Sequence, residues 1–587
     1  MKNNTIILII PLLLAVSGCE GWLNKEPLAQ MSPESFFSNE NELQAFSNNF
    51  YKDFPGSDLY QENYDLCLHM ECPAEMRDGR VIPGSGSGWT WTSLRNINTL
   101  LEYSVNCEDA AVRAEYDAVA RFFRAYFYFE KVKRFGDVPW YDRQLGSADP
   151  DLYKPRDSRE LVMQKMIEDI DYAIANLPAE KSLYRVTKWT ALALKSRFCL
   201  FEGTFRKYHE YQETMYPEYD WKWYLGQCVS ASEEFMNTSG YGIYTADGPD
   251  KSYLNLFVSE NANSQEIILA RDYSKAFNVT HNANYYTLNA GYGRPGLSKK
   301  IVNSYLMSDG SRFTDIDGYE KMEFYDECQN RDPRLAQSIR TPGYTRIGSS
   351  VQEAPDFVVT VTGYQPIKYV AGTEYDSYNT SAVDLPVFRT AEVYLNYAEA
   401  KAELGTLTQA DLDNSIKKIR DRVGMPNIDL AMANGDPDEY MEKMYTQVSE
   451  ENKGVILEIR RERTVELSRE GFRYYDIIRW KEGQTFTQKH YGMYFKGVGE
   501  YDLDKDGTID LCLYQGSRPD TKATLSYEIG QDIYLSEGDH GYVDPYRNIT
   551  LSWNEDRDYF YPIPTDDRSL TGGALTQNPG WNDGLDF

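Results

Sequence analysis

Three groups of residues in this chain have the types and spacing for chemistry. The most regular is Asp502-Leu-Asp504-Lys-Asp506-Gly507-Thr508-Ile-Asp510. Carboxylates at the first, third, fifth and ninth places, a glycine at the sixth and a backbone carbonyl at the seventh suit a hard cation with many oxygen ligands. The twelfth place, where a bidentate Glu would complete an EF-hand, is Leu513. A water or remote carboxylate must then finish the shell, so the string predicts a structural Ca²⁺ that stiffens a loop. The plainer alternative is an Asp/Gly-rich surface turn. The second group is Trp89 and Trp91, at the exit of the Gly/Ser-rich residues 83–88 and beside Asp78 and Arg80. Rings that stack on sugar C–H faces, next to groups that bond hydroxyls, are the recipe for an oligosaccharide site. The third is Tyr285, Tyr286 and Tyr292, in a Gly/Asn-rich stretch. In both groups the rings could instead be packing anchors.

Catalysis finds less support. A glycosidase needs two facing carboxylates, and nothing in one sequence selects a pair; Glu71 and Glu75 are candidates without further support. The chain has no GxSxG, P-loop or HExxH string, and Gly291-Tyr-Gly293 is not followed by the GK[ST] of a phosphate cradle. The reading is a binder and not an enzyme, with no cofactor required.

Composition points the same way. The formal charge of −29, from 61 basic and 90 acidic residues, excludes nucleic acid as a partner and gives no attraction to anionic lipid. Tyr is abundant at 47 residues, against 5 His, which favours wet, adaptable binding surfaces over His-rich metal chemistry. Of the eight Cys, seven follow Cys19 and are scattered, which is no disulfide framework. Lys2, the apolar run 6–16 and Ser17-Gly18-Cys19 form a secretory signal too short to span a bilayer. Small residues before a Cys resemble the bacterial lipoprotein signal. On that resemblance residues 1–18 are removed, Cys19 is lipidated and residues 19–40 are a tether, with multiple acyl chains holding the protein to membrane lipid.

The elements that must position these groups read as mainly helical. At 587 residues the chain exceeds a usual single core. In residues 41–240, apolar periodicity predicts helices over 42–54, 92–105, 110–134, 158–176, 187–205 and 221–237, arranged as helical hairpins. Residues 241–385 form a loop-rich insertion, the candidate ligand face, with β-like pieces at 266–270 and 357–362. Residues 386–587 return to helix over 386–404, 409–423 and 438–470 before a loop-rich tail. Within them Glu458, Glu462, Glu466 and Glu470 recur every fourth residue, interleaved with Arg460, Arg461, Arg463 and Arg469, and Gly471 is the expected C′ residue. The aromatic strip Phe472, Tyr474, Tyr475 and Trp480 follows, so the charges are expected in a partly buried ionic network that is architecture, not chemistry.

Several strings occur in an order that resembles the SusD/RagB family of nutrient-binding surface lipoproteins. They are RFFRAYFYFE at 121–130 running into RFGDVP at 134–139, RTAEVYLNYAEAKAELG at 389–405, and IRDRVGMP at 419–426. The 456–480 stretch, YPIP at 561–564 and QNPG at 577–580 complete the set. The resemblance implies a mainly α fold in which four tetratricopeptide-type helical hairpins back a large loop-rich ligand-binding face. It places ligand contacts in the loop before Trp89 and Trp91 and among the insertion tyrosines. It also implies capture of an oligosaccharide, or a peptide, at the outer-membrane surface and delivery to a SusC-like TonB-dependent transporter. A surface glycoside hydrolase and a protein-only interaction module are the alternatives.

Overall fold

A computed structural model describes residues 36–56, 62–448 and 451–587. The expected signal peptide, Cys19 and residues 19–35 of the tether lie outside the described residues. No described helix is long and apolar enough to cross a membrane.

The N-terminal part is built from α1 (Glu40–Ser47), α2 (Thr92–Tyr103), α3 (Ala110–Phe135), α4 (Arg159–Asn176), α5 (Lys188–Tyr208) and α6 (Trp221–Thr238). Most begin where a short polar side chain accepts the orphan amides of the first turn. Asn39, Asp109, Ser158 and Asp220 each cap in this way, and Thr187 with Thr190 forms a reciprocal capping box. α3 packs on α2 and α4, and α5 on α6, which gives the helical hairpins. As its all-round apolar text requires, α3 is buried along most of its length. The buried Arg124 on it is neutralised by Asp169, at 2.6 and 2.7 Å.

The insertion contributes α7 (Ala283–Leu288) and α8 (Lys299–Ser304). The C-terminal part adds α9 (Thr390–Glu403), α10 (Gln409–Asn414), α11 (Ile416–Asp421), α12 (Glu439–Met444), α13 (Lys453–Glu466) and α14 (Arg473–Arg479). α9 lies against α6 and α13 and so continues the helical stack.

Several predicted boundaries change, each for a local reason. The first helix turns 3₁₀ after Ser47, over Asn48–Asp53. Residues 386–404 do not start as helix: Leu385–Arg389 is a strand, β4, paired antiparallel with β2 (Ile267–Arg271). The extended backbone carries Arg389 to three glutamates. Residues 409–423 break at Ser415, whose hydroxyl donates to the Asp411 carbonyl at 2.6 Å. Residues 438–470 divide into α12 and α13, and α13 stops at Glu466. Gly471 does take φ +79°, but after a turn in which Arg469 also has φ +60°. Residues 357–362 form no strand; Val361 N–H donates to the Arg294 carbonyl, and the Arg294 guanidinium bonds the Phe357 carbonyl.

The helices enclose one large apolar core. A second core joins insertion to tail through Leu297, Ile301, Tyr305, Phe357, Met493 and Leu513. α13 serves both, since Leu457 and Ile459 lie in the first and Val465 in the second. Around it runs the expected ionic network, more fully buried than the sequence reading held. Glu466 accepts from Arg389 at 2.7 Å, Arg422 at 2.5 Å and Arg334 at 3.0 Å. Glu462 takes Arg334 and Arg420, Glu470 takes Arg389 and Lys368, and Glu266 takes Arg389 and Arg422. Burial would raise Glu466, but three guanidinium groups outweigh it and hold its carboxyl far below the usual range. Most partners come from distant segments and not from the next helical turn. Within α13 the close pair is Arg461 with Glu458, at 3.2 Å.

Candidate ligand-binding site

The insertion tyrosines gather into one cluster. Tyr285 and Tyr286 sit on α7, whose base is fixed from several sides. The Ala371 amide donates to Asn284 Oδ1 at 2.6 Å, and Asn284 Nδ2 donates to Asp376 at 2.6 Å. Arg469 Nη2 donates to Thr287 Oγ1 at 3.3 Å and Nη1 to the Lys368 carbonyl at 3.1 Å, tying the helix to the turn after α13. Tyr292 is swung back over α7 by a turn through Gly293 at φ +75°. A Cβ there would lie 2.6 Å from His69 Nδ1, so both the dihedral and the space demand glycine. The Met70 amide donates to the Gly293 carbonyl at 2.7 Å, and β1 (Cys67–Leu68) pairs with β3 (Gly296–Leu297) just beyond.

On this base Tyr292 lies 5.2 Å from Tyr285 and 5.1 Å from Tyr286, ring centre to ring centre. Tyr378 adds a fourth ring 5.6 Å from Tyr285. Tyr292 and Tyr378 are 44 % and 56 % exposed, which leaves apolar ring faces open to solvent, and exposed Asn379, next to Tyr378, accepts from buried Asn282 at 2.7 Å. Offset aromatic faces with neighbouring amide groups can hold sugar rings by stacking and hydroxyl bonding. Tyr378 escaped the sequence reading. Its only signal was membership of the same loop-rich stretch, and its contact with Tyr285 spans a distance in sequence that spacing cannot bridge.

The tryptophan group is divided. Trp89 is 4 % exposed and stands edge-on to Phe135 and Trp91, a packing anchor. Trp91 is half-buried, and both rings wall a cleft of about 280 Å³ shared with Tyr141, Leu145, Leu570 and Leu575. Its lining is mixed, five leucines with Arg95, Asn98, Arg143, Asp567 and Thr571. Asp78 and Arg80 do not line that cleft. Arg80 is buried in an ion pair with Asp558, 2.7 Å away, over the rings of Trp553, Tyr561 and Trp581, while exposed Asp78 meets Arg557 at 3.0 Å. Ion pairing turns Arg80 inward and ties exposed Asp78 to the tail.

The aspartate string joins β5 (Gly499–Tyr501) to β6 (Leu511–Tyr514), the middle strand of a three-stranded sheet with β7 (Leu525–Glu528). One carboxylate oxygen each from Asp502, Asp504 and Asp510 lies within 4.8 Å of the others. Asp506 stands outside that group and accepts the Thr508 amide at 2.7 Å. Burial and the neighbouring Asp504, Asp502 and Asp506 push Asp510 up to about 6, against a Leu503 amide that opposes the shift. The seven Cys after Cys19 are free thiols.

Comparison with known proteins agrees with the fold. The profile described as "SusD family" matches residues 264–581, and one described as "Starch-binding associating with outer membrane" matches residues 89–200. SusD-like protein P25 of Formosa agariphila is 23 % identical over 82 % of this chain and 90 % of its own. A SusD-like carbohydrate-binding protein from Bacteroides fragilis superposes with a TM-score of 0.68 at 19 % identity, covering 92 % of this chain and 99 % of that one. A laminarin-binding SusD-like protein superposes with a TM-score of 0.52 at 18 % identity, covering 93 % and 100 %. With the helical stack, the loop-rich opposite part and the family profile spanning more than half of its length, the chain belongs to the SusD family.

Proposed function

We propose that this protein is a non-catalytic glycan-binding lipoprotein of the outer-membrane surface, which captures oligosaccharide on its tyrosine face and delivers it to a SusC-like TonB-dependent transporter. The observation that carries the reading is the cluster of Tyr285, Tyr286, Tyr292 and Tyr378, open to solvent on a base held by buried hydrogen bonds. Lipidation at Cys19 would supply the anchor. Calorimetry with a panel of oligosaccharides is the test. Tyr285→Ala and Tyr292→Ala should each weaken binding about tenfold, equivalent to about 1.4 kcal/mol, with the unfolding temperature unchanged. Trp89→Ala should instead lower stability by about 3–5 kcal/mol, as for other buried aromatic truncations. Binding unaffected by the tyrosine variants, or sustained release of reducing ends from the bound glycan, would defeat the proposal.

The loop 502–510 is proposed as a Ca²⁺ site that locks the β5–β6 connection. Its support is the convergence of Asp502, Asp504 and Asp510. Since Asp510 is pushed up to about 6, protons should compete with the cation below that pH. Added Ca²⁺ should raise the melting temperature at pH 7.5 and much less at pH 5. Asp504→Asn should abolish the response, and an identical response in that variant would refute the assignment.

A further inference from the structure

We propose that the glycan held on the tyrosine face is electrically neutral, a chain without uronate or sulfate groups. This rests on the tyrosine cluster being the glycan site. Three segments converge there: residues 276–298, which carry Tyr285, Tyr286 and Tyr292; residues 370–384, which carry Tyr378; and residues 62–76, whose Met70 amide holds Gly293. Across all three, Arg294 is the only Lys or Arg. Its guanidinium is turned inward, to the Phe357 and Thr360 carbonyls.

Of the cations on adjoining segments, Arg346 and Arg469 are committed inward, Lys275 is about half exposed and drawn to Glu260, and Arg77 is exposed. Arg346 bonds the Ala371 carbonyl and pairs with Asp376 at 2.5 Å. Lys275 lies 4.0 Å over the Tyr375 ring and 3.6 Å from Glu260. Arg469 is held by the Lys368 carbonyl and Thr287.

Carboxylates, by contrast, are plentiful on the same segments. Asp376 and Asp384 are engaged by hydrogen-bond donors, and Asp65 by Arg473. Glu71 and Glu374 are exposed, with no cation paired to them among the described residues. A uronate or sulfate needs a guanidinium or ammonium group to replace its water. Here it would meet exposed acid, with Lys275 already drawn to Glu260, on a molecule of net charge −29. A neutral sugar asks only for ring faces and for hydroxyl partners, and exposed Asn379 and half-buried Asn289 stand near Tyr378 and Tyr292 in the chain.

The test uses the mature chain and calorimetry with neutral probes (maltoheptaose, laminarihexaose, mannohexaose) and anionic ones (oligogalacturonate, oligoalginate, a carrageenan oligosaccharide). A neutral probe should bind, and Tyr285→Ala and Tyr292→Ala should weaken it. O-sulfation of that same probe should weaken binding at least about tenfold, a gap of about 1.4 kcal/mol. The gap should narrow at about 0.5 M salt, where the Debye length is shorter, and in the Glu71→Gln/Glu374→Gln variant. An anionic probe that binds tighter than every neutral one, and loses affinity in the tyrosine variants, would overturn neutrality while leaving the site in place. Binding indifferent to the tyrosine variants, or no binding by any probe, would overturn the site and this inference with it.

Discussion

At the residue scale, the chain separates aromatic rings by what surrounds them and not by type. Trp89 and Tyr292 both looked like ligand contacts, yet one is closed over by Phe135 and Trp91 and the other is left open by a glycine turn. Glu62 shows the same dependence on surroundings for a charge. It is 8 % exposed, one carboxylate oxygen has no hydrogen-bond partner, and burial pushes it up to about 7 against the pull of Arg473. A carboxyl raised in the folded state is harmless while protonated in both states and costs stability as pH climbs from its unfolded value, near 4.5, toward 7. Glu62→Gln should therefore stabilise the protein at pH 8, by up to about 3 kcal/mol, and make little difference at pH 4. Chemical denaturation at the two pH values checks this, and an equal effect at both would mean that burial does not control the group.

At the element scale, α13 is the member on which the others register. Its glutamates meet arginines from β4, from the segment after α11 and from the insertion, so one helix fixes three separate pieces of chain. Removing one charge from such a network leaves its partners buried and uncompensated, which costs about 3–5 kcal/mol. Glu466→Gln should be destabilising on that order by urea denaturation. A loss below about 1 kcal/mol, the range of exposed pairs, would show that water reaches the network. Acid should act in the same direction. Glu399, which buried Arg479 pulls down to about 2 against burial, contributes stability that is complete above pH 4.5 and lost as pH falls toward 2.

At the scale of the whole molecule, the helical stack and the insertion–tail body have separate apolar cores but share α13 and the ionic network. Unfolding either body would expose the charged side chains of the other, so the two should unfold together in one calorimetric transition, with calorimetric and van't Hoff enthalpies in agreement. Two resolved transitions would mean that the bodies are energetically independent. The tyrosine face belongs to this joint. α7 is held through Arg469 to the turn that ends α13, so the ligand face is stiffened by the same element that joins the cores.

The sequence by itself determined the class of fold, because helix periodicity and capping residues act over a few turns and need no distant partner. α3 with its buried faces, the span of α5 and the glutamate repeat of α13 were all legible on those grounds. What tertiary structure alone decided was wherever a distant segment competes with local preference. β4 replaced the start of a predicted helix because β2 offered it a ladder, and Arg80 turned away from Trp91 because Asp558 pairs with it. Tyr378 joined the tyrosine face for the same reason: proximity across a folded chain is set by packing and hydrogen bonds between segments, and no spacing in the sequence records it.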